Sequence, residues 1–141
     1  MKMRAALLAA CGLLAGCPLS AGPSTGECDS DGDCAGNICA RDGLCYPSSE
    51  VREVKTTWTI QGRTASPATC GPVVDLTIGF SGGLAGESPL QYAPVPCANG
   101  QWLMDKLPRD YTVVELGKEN GFPEAKSIGA TGLVEFDLRN N

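Results

Sequence analysis

Four cysteines stand within eighteen residues, Cys28-x5-Cys34-x4-Cys39-x5-Cys45, and nothing else in the chain constrains its folding as strongly. The segment CDSDGDCAGNICARDGLC holds too few apolar side chains to bury a core, so its cysteines must supply the stability. Four cysteines allow three pairings. The interleaved one, Cys28 with Cys39 and Cys34 with Cys45, is the expectation. Each bridge would close a loop of about ten residues and contribute roughly 2–3 kcal/mol in the chain-entropy view. The aspartates and Asp42-Gly43 read as turns, in which Asp bonds its own backbone.

Two metal readings compete with this one. Asp29, Asp31 and Asp33 alternate as in an EF-hand loop, but the glycine expected next is Cys34 and the twelfth position is Ala40 rather than Glu. That leaves at most a looser calcium site on the three aspartates. Zinc on the four cysteines would want CxxC knuckles, which the x5, x4 and x5 spacings lack. No metal and no cofactor is expected.

The N-terminus reads as an address. Met1-Lys2-Met3-Arg4 is a positive segment, and Ala5 to Leu14 is a short apolar stretch. Together they have the form of a secretory signal. Leu14-Ala15-Gly16-Cys17 resembles the bacterial lipobox. The resemblance implies diacylglycerol on the Cys17 sulfur, cleavage before Cys17 and fatty acylation of the new N-terminus. One acyl chain holds marginally; two or three hold firmly. Pro18, in place of an aspartate, points to the outer membrane. Cys11 would leave with the signal and Cys17 would carry lipid, so six cysteines remain for an oxidising compartment.

Composition narrows the function classes. There is no histidine, the commonest general base and metal ligand. Removing residues 1–16 takes away Lys2 and Arg4 and no acid, leaving nine bases against sixteen acids and a side-chain charge of −7. Such a charge argues against nucleic acid as a partner. No apolar run reaches the roughly 20 residues of a spanning helix.

Along the mature chain, 17–27 reads as a flexible Ser/Gly/Pro/Thr tether, 28–46 as the disulfide-rich module, 47–53 as a polar linker and 54–138 as a β domain. Val54, Thr56, Trp58 and Ile60 alternate with Lys55, Thr57, Thr59 and Gln61, a half-buried strand with Trp58 inward. Residues 73–80 repeat the pattern, with Val74, Leu76, Ile78 and Phe80 on one face. Residues 91–97 read as an edge strand, because Pro94 and Pro96 cannot donate to a ladder. Ala98-Asn99-Gly100 is a turn leading into a strand over 101–107. Strands over 111–116 and 133–138 follow, separated by a long connection, 117–132. The expected fold is all-β: a single β-sandwich preceded by a small disulfide-rich module and a signal peptide.

The segments TWTIQGRTASPATC and VPCANGQWLMDKLPRDYTVVEL resemble the β-sandwich of many myxobacterial-type lipoproteins, similar in turn to carboxypeptidase regulatory-like, prealbumin-type modules. The resemblance implies a prealbumin-like or Ig-like sandwich with Trp58 on its first strand and a Cys70–Cys97 bridge. That bridge would be worth roughly 3–4 kcal/mol. The resemblance also implies a corner at Leu107-Pro108-Arg109-Asp110-Tyr111, one residue shorter than the usual Leu-Pro-x-Gly-x-Tyr and without its glycine.

Candidate chemistry is sparse. Trp58 reads as core, and Trp102 as core or a surface platform for stacking a ligand. Asp75 and Glu87 could be imagined as paired acids, but nothing fixes their separation. Ser81-Gly82-Gly83 lacks the lysine and following helix of a phosphate loop. No catalytic residue and no enzyme is expected. The reading is a non-catalytic cell-surface or outer-membrane lipoprotein with a structural or recognition role. Its partners would be the membrane, through the anchor, and an extracellular protein or glycan. The alternative is an extracellular ligand-binding or protease-inhibitor-like protein acting through the cysteine-rich module.

Overall fold

Alternation along a single ten-residue strand organises the whole β domain. The computed structural model describes residues 26–73, 75–82, 89–118 and 121–139. The expected signal over 1–16, the expected lipid acceptor Cys17, Val74 and Glu87 lie outside the described residues.

Two short strands, β1 (Ile38–Cys39) and β2 (Cys45–Tyr46), pair antiparallel within the cysteine cluster, after a 3-10 turn at Asp31–Cys34. Then comes β3 (Val51–Ile60), with Val54, Thr56, Trp58 and Ile60 all buried. It starts three residues earlier than its alternation suggests, so the segment 47–53 ends inside the sheet. β4 (Arg63–Thr64) folds back on it, and a single helical turn, α1 (Pro67–Cys70), follows. Proline opens this turn where its missing N–H costs nothing, and the Ser66 hydroxyl accepts from Thr69 N at 3.2 Å.

β5 (Asp75–Ser81), β6 (Leu90–Pro96), β7 (Gln101–Pro108), β8 (Val113–Lys118), β9 (Glu124–Ser127) and β10 (Leu133–Leu138) complete the chain. With β3 and β4 they form two four-stranded sheets. In the first, β3 is central, with β10 parallel on one side and β7 and β4 antiparallel on the other. The second runs β6–β5–β8–β9, all antiparallel. β6 is an edge strand, as its prolines require, and its pairing with β5 shifts register between Leu76 and Ile78.

The core lies between the sheets. Trp58, Val54 and Phe136 of the first face Ile78, Phe80 and Leu116 of the second. The indole Nε1 of Trp58 donates to the Cys97 carbonyl at 2.8 Å, so its polar tip is satisfied inside. The chain is all-β, as its alternation implies, and the sandwich is open at its edges.

One expectation needs correcting. Residues 117–132 are not one long connection: β8 continues to Lys118 and β9 crosses the middle of the segment. β9 is an edge strand with no buried residue, so its Glu-Ala-Lys-Ser sequence shows no apolar alternation. The corner at 107–111 keeps its function despite the shortened motif. Tyr111 N donates to the Pro108 carbonyl at 3.2 Å, and the Tyr111 ring is buried. Arg52 Nη2 donates to the Tyr111 carbonyl at 2.5 Å and ties the corner to β3. Burial, and then the Arg109 guanidinium nearby, lower the Arg52 pKa from its ordinary value.

The parallel neighbour of β3 depends on a glycine. Gly132 has φ 69°, and a Cβ there would lie 2.5 Å from the Glu53 carbonyl oxygen. Only glycine lets the chain enter β10 so close to β3, where Lys55 N donates to the Gly132 carbonyl at 2.8 Å.

Candidate functional site

Three regions carry chemistry or shape beyond the core: the cysteine cluster, the edge of β7 on which it docks, and the open end of the sandwich.

The cluster is cross-linked in the interleaved pattern. Cys28 bonds Cys39 and Cys34 bonds Cys45, with Cα separations of 5.8 and 5.4 Å. The Sγ atoms of Cys28, Cys34 and Cys45 lie within 4.8 Å of one another, so the bridges stack. Each sulfur is in an S–S bond and offers no thiolate. Cys34 and Cys45 are buried, whereas Cys28 and Cys39 are half-exposed. The third bridge, Cys70–Cys97, has a Cα separation of 6.1 Å and is buried, joining α1 to the turn before β7.

The three aspartates do not converge on a common point. Asp33 Oδ2 accepts from Asp29 N at 3.2 Å, Ser30 N at 2.9 Å and the Ser30 hydroxyl at 3.0 Å, closing the 3-10 turn. Those bonds, the Ser30 hydroxyl first, hold its carboxyl below the ordinary aspartate value. Asp31 faces elsewhere: Oδ1 accepts from Cys39 N at 2.9 Å and Oδ2 meets Lys106 Nζ at 2.8 Å. The Lys106 bond, then the Cys39 N–H, lower its pKa as well. The Asp42 carboxylate also closes a turn, accepting from Leu44 N at 3.1 Å and the Tyr46 hydroxyl at 2.7 Å. Two of the proposed calcium ligands thus already serve protein donors.

Docking of the module rests on a bulge. β7 spends three steps, Met104 to Leu107, where β3 spends two, Val54 to Arg52. Lys106 takes φ 49° to absorb the extra residue. The bulge turns the Lys106 carbonyl outward, where it accepts from Arg41 N at 3.2 Å. It also sends Lys106 Nζ to Asp31, while the Arg41 guanidinium pairs with Asp105. One irregularity in the sheet thus makes a backbone bond and two ion pairs to the module. The ion pairs are surface-exposed and individually weak; the backbone bond and the connection through 47–50 set the geometry.

The tryptophans part company. Trp58 is core. Trp102 is half-buried on the inner face, opposite Thr56, and stacks obliquely on Tyr92 with ring centroids 5.6 Å apart. Burial raises the Tyr92 pKa above its ordinary value. Trp102 Nε1 and the Thr56 hydroxyl are both buried without a protein hydrogen-bond partner. Asp75, at the start of β5 opposite Pro96, is half-buried; Glu87, its imagined partner, lies outside the described residues.

A feature with no signal in the sequence is a cavity of about 420 Å³ at the end of the sandwich where β3, β8 and β10 finish. Its floor is aliphatic, with Ile60 and Leu138 from one sheet and Leu76 and Leu116 from the other. Lys118, Glu124, Asp137 and Arg139 stand around its mouth, beside a fully exposed Phe122. Gly117 shapes one wall: a Cβ there would come within 2.8 Å of Pro123 Cα, so glycine lets the 121–123 segment cross close over β8. These residues are scattered from position 60 to position 139, and only the fold brings them together.

Fold and site together define a class: an all-β sandwich carrying a disulfide-stapled module on one sheet edge. No protein-family model, curated protein or solved structure matches this chain.

Proposed function

We propose that this protein is a non-catalytic lipoprotein of the outer membrane or cell surface, anchored through Cys17, whose folded part has a structural or recognition role towards an extracellular protein or glycan. The observation that carries the reading is the cysteine count. All six described cysteines are bonded to one another, and the one other cysteine left after cleavage before Cys17 is the lipobox residue itself. Three bridges suit an oxidising compartment outside the cytoplasm. The sequence likeness to myxobacterial-type lipoproteins points the same way.

Intact mass of the protein extracted from membranes, before and after reduction, tests this reading. The expected mass is that of a chain beginning at Cys17 plus diacylglycerol and a fatty acyl group, with six hydrogens gained on reduction. A chain that keeps residues 1–16, or starts at Cys17 without lipid, overturns it.

A further inference from the structure

The two bridges of the cysteine module differ in access, and they lie against each other. We propose that they form a thiol–disulfide relay: a dithiol reductant opens Cys28–Cys39 first, and the freed Cys28 thiolate then attacks the buried Cys34–Cys45 bridge. Access carries the first step. Cys28 and Cys39 are half-exposed and line a surface cleft of about 270 Å³ between the module and Lys106. The other four described cysteines are buried, with Cys34 at 0%, Cys45 at 4%, Cys70 at 3% and Cys97 at 0% exposure. Exchange requires a thiolate to reach a bonded sulfur, so the outer bridge is the one that a dissolved dithiol meets.

Proximity carries the second step. The Sγ atoms of Cys28, Cys34 and Cys45 lie within 4.8 Å of one another, a group that does not include Cys39. Once released, Cys28 can turn about its own Cα–Cβ bond towards the inner bridge, which a dissolved reagent cannot reach. Backbone bonds hold the sulfurs in place meanwhile. Cys28 N donates to the Gly43 carbonyl at 2.7 Å, and Cys39 N donates to Asp31 Oδ1 at 2.9 Å; neither bond needs the disulfide.

The exchange balances. One thiolate of the dithiol bonds the Cys39 sulfur, and Cys28 leaves as thiolate. Cys28 then bonds one sulfur of Cys34–Cys45 and expels the other. The second thiol of the reagent bonds its own first sulfur, and Cys39 leaves. The dithiol ends as a disulfide, and its two electrons and two protons end on the protein. The module then holds one bridge from Cys28 to Cys34 or Cys45, and two thiols, Cys39 and the cysteine that Cys28 expelled.

The test uses the full chain with Cys11→Ser and Cys17→Ser, which leaves the six bridged cysteines and removes any dependence on the anchor. Dithiothreitol is the probe, stopped at intervals with N-ethylmaleimide and mapped by peptide mass. The four module cysteines should be labelled at least about tenfold faster than Cys70 and Cys97. Two further variants, Cys39→Ser and Cys28→Ser, separate the relay from mere loosening, because each loses the same outer bridge and neither position belongs to the sandwich core. Without any reductant, Cys39→Ser leaves the Cys28 thiol beside the inner bridge. At about pH 8, near the ordinary thiol pKa, roughly a tenth or more of its label should appear on Cys34 or Cys45. In Cys28→Ser the label should stay on Cys39. Equal reduction rates of all three bridges overturn the proposal. So does label confined to Cys28 in the first variant, or label spread equally in both.

Discussion

The cysteine module and the sandwich solve the same problem by different means. Among the described residues the sandwich buries a contiguous core of seventeen, drawn from both sheets and the turns between strands, and adds one bridge to it. The module, from Cys28 to Tyr46, buries Cys34, Ala40 and Cys45 and little else, and holds two bridges that each span eleven positions. Where apolar area is ample, a disulfide is an addition. Where it is scarce, the disulfides take the place of the core. The module also borrows from its neighbour, because its ion pairs and one of its backbone bonds end on the β7 bulge.

The comparison can be broken first at the core. Trp58→Ala removes a buried indole and its bond to Cys97, and should cost about 3–5 kcal/mol. Urea unfolding followed by circular dichroism would record it, and the module should lose its order in the same transition because its dock goes with the sheet. A module that kept its amide protection after the sandwich melted would show it to be independent. Next, removing the Cys70–Cys97 bridge by paired serine substitutions should cost about 3–4 kcal/mol in the chain-entropy model, with the strands retained. A sandwich that failed to fold at all would show the core to be less sufficient than its burial implies.

A smaller effect is expected from Cys34→Ser with Cys45→Ser. About 2–3 kcal/mol should be lost, and lost locally. Hydrogen exchange should open residues 28–46 while the melting of the sandwich moves little. An equal loss in both regions would erase the contrast. The smallest effect is the response to acid. Asp31 and Asp33 are held below the ordinary aspartate value in the folded chain. Their contribution is therefore complete above about pH 4, the unfolded value, and is lost as the pH falls through their lower folded values. Amide exchange of the module should rise on that acid limb. Lys106→Gln removes the largest cause of the Asp31 shift, so the Asp31 contribution should shrink and its loss should be complete at a higher pH. An unchanged limb in that variant would mean that Asp31 does not hold the dock.

Much of the architecture is legible in the amino acids. The alternation of β3 marks its buried face, and the strand over 133–138 begins and ends where its pattern does. The prolines of β6 mark an edge. The cysteine count in 28–45 marks a cross-linked module, and the interleaved pairing expected there is the one found, although the sequence left three pairings open. Legibility fails where apolar alternation is missing. β9 buries none of its four residues fully, and the two-residue strands of the module are too short to show a period. The aspartates were ambiguous because a carboxylate that closes a turn and one that binds calcium look alike in sequence. In the fold Asp33 turns towards Ser30 and Asp31 towards Lys106, directions that the sequence does not show.

By itself, then, the sequence determined the all-β class, the buried face of each patterned strand and the demand for cross-links in a segment too poor to form a core, because those follow from local periodicity and composition. Tertiary structure alone decided the rest. A bulge at Lys106 became the dock for the module, and side chains from Ile60 to Arg139 met around one cavity. Both depend on which strands lie side by side, and in this fold those neighbours are distant in sequence: β10 pairs with β3, and the Cys28–Tyr46 module with β7.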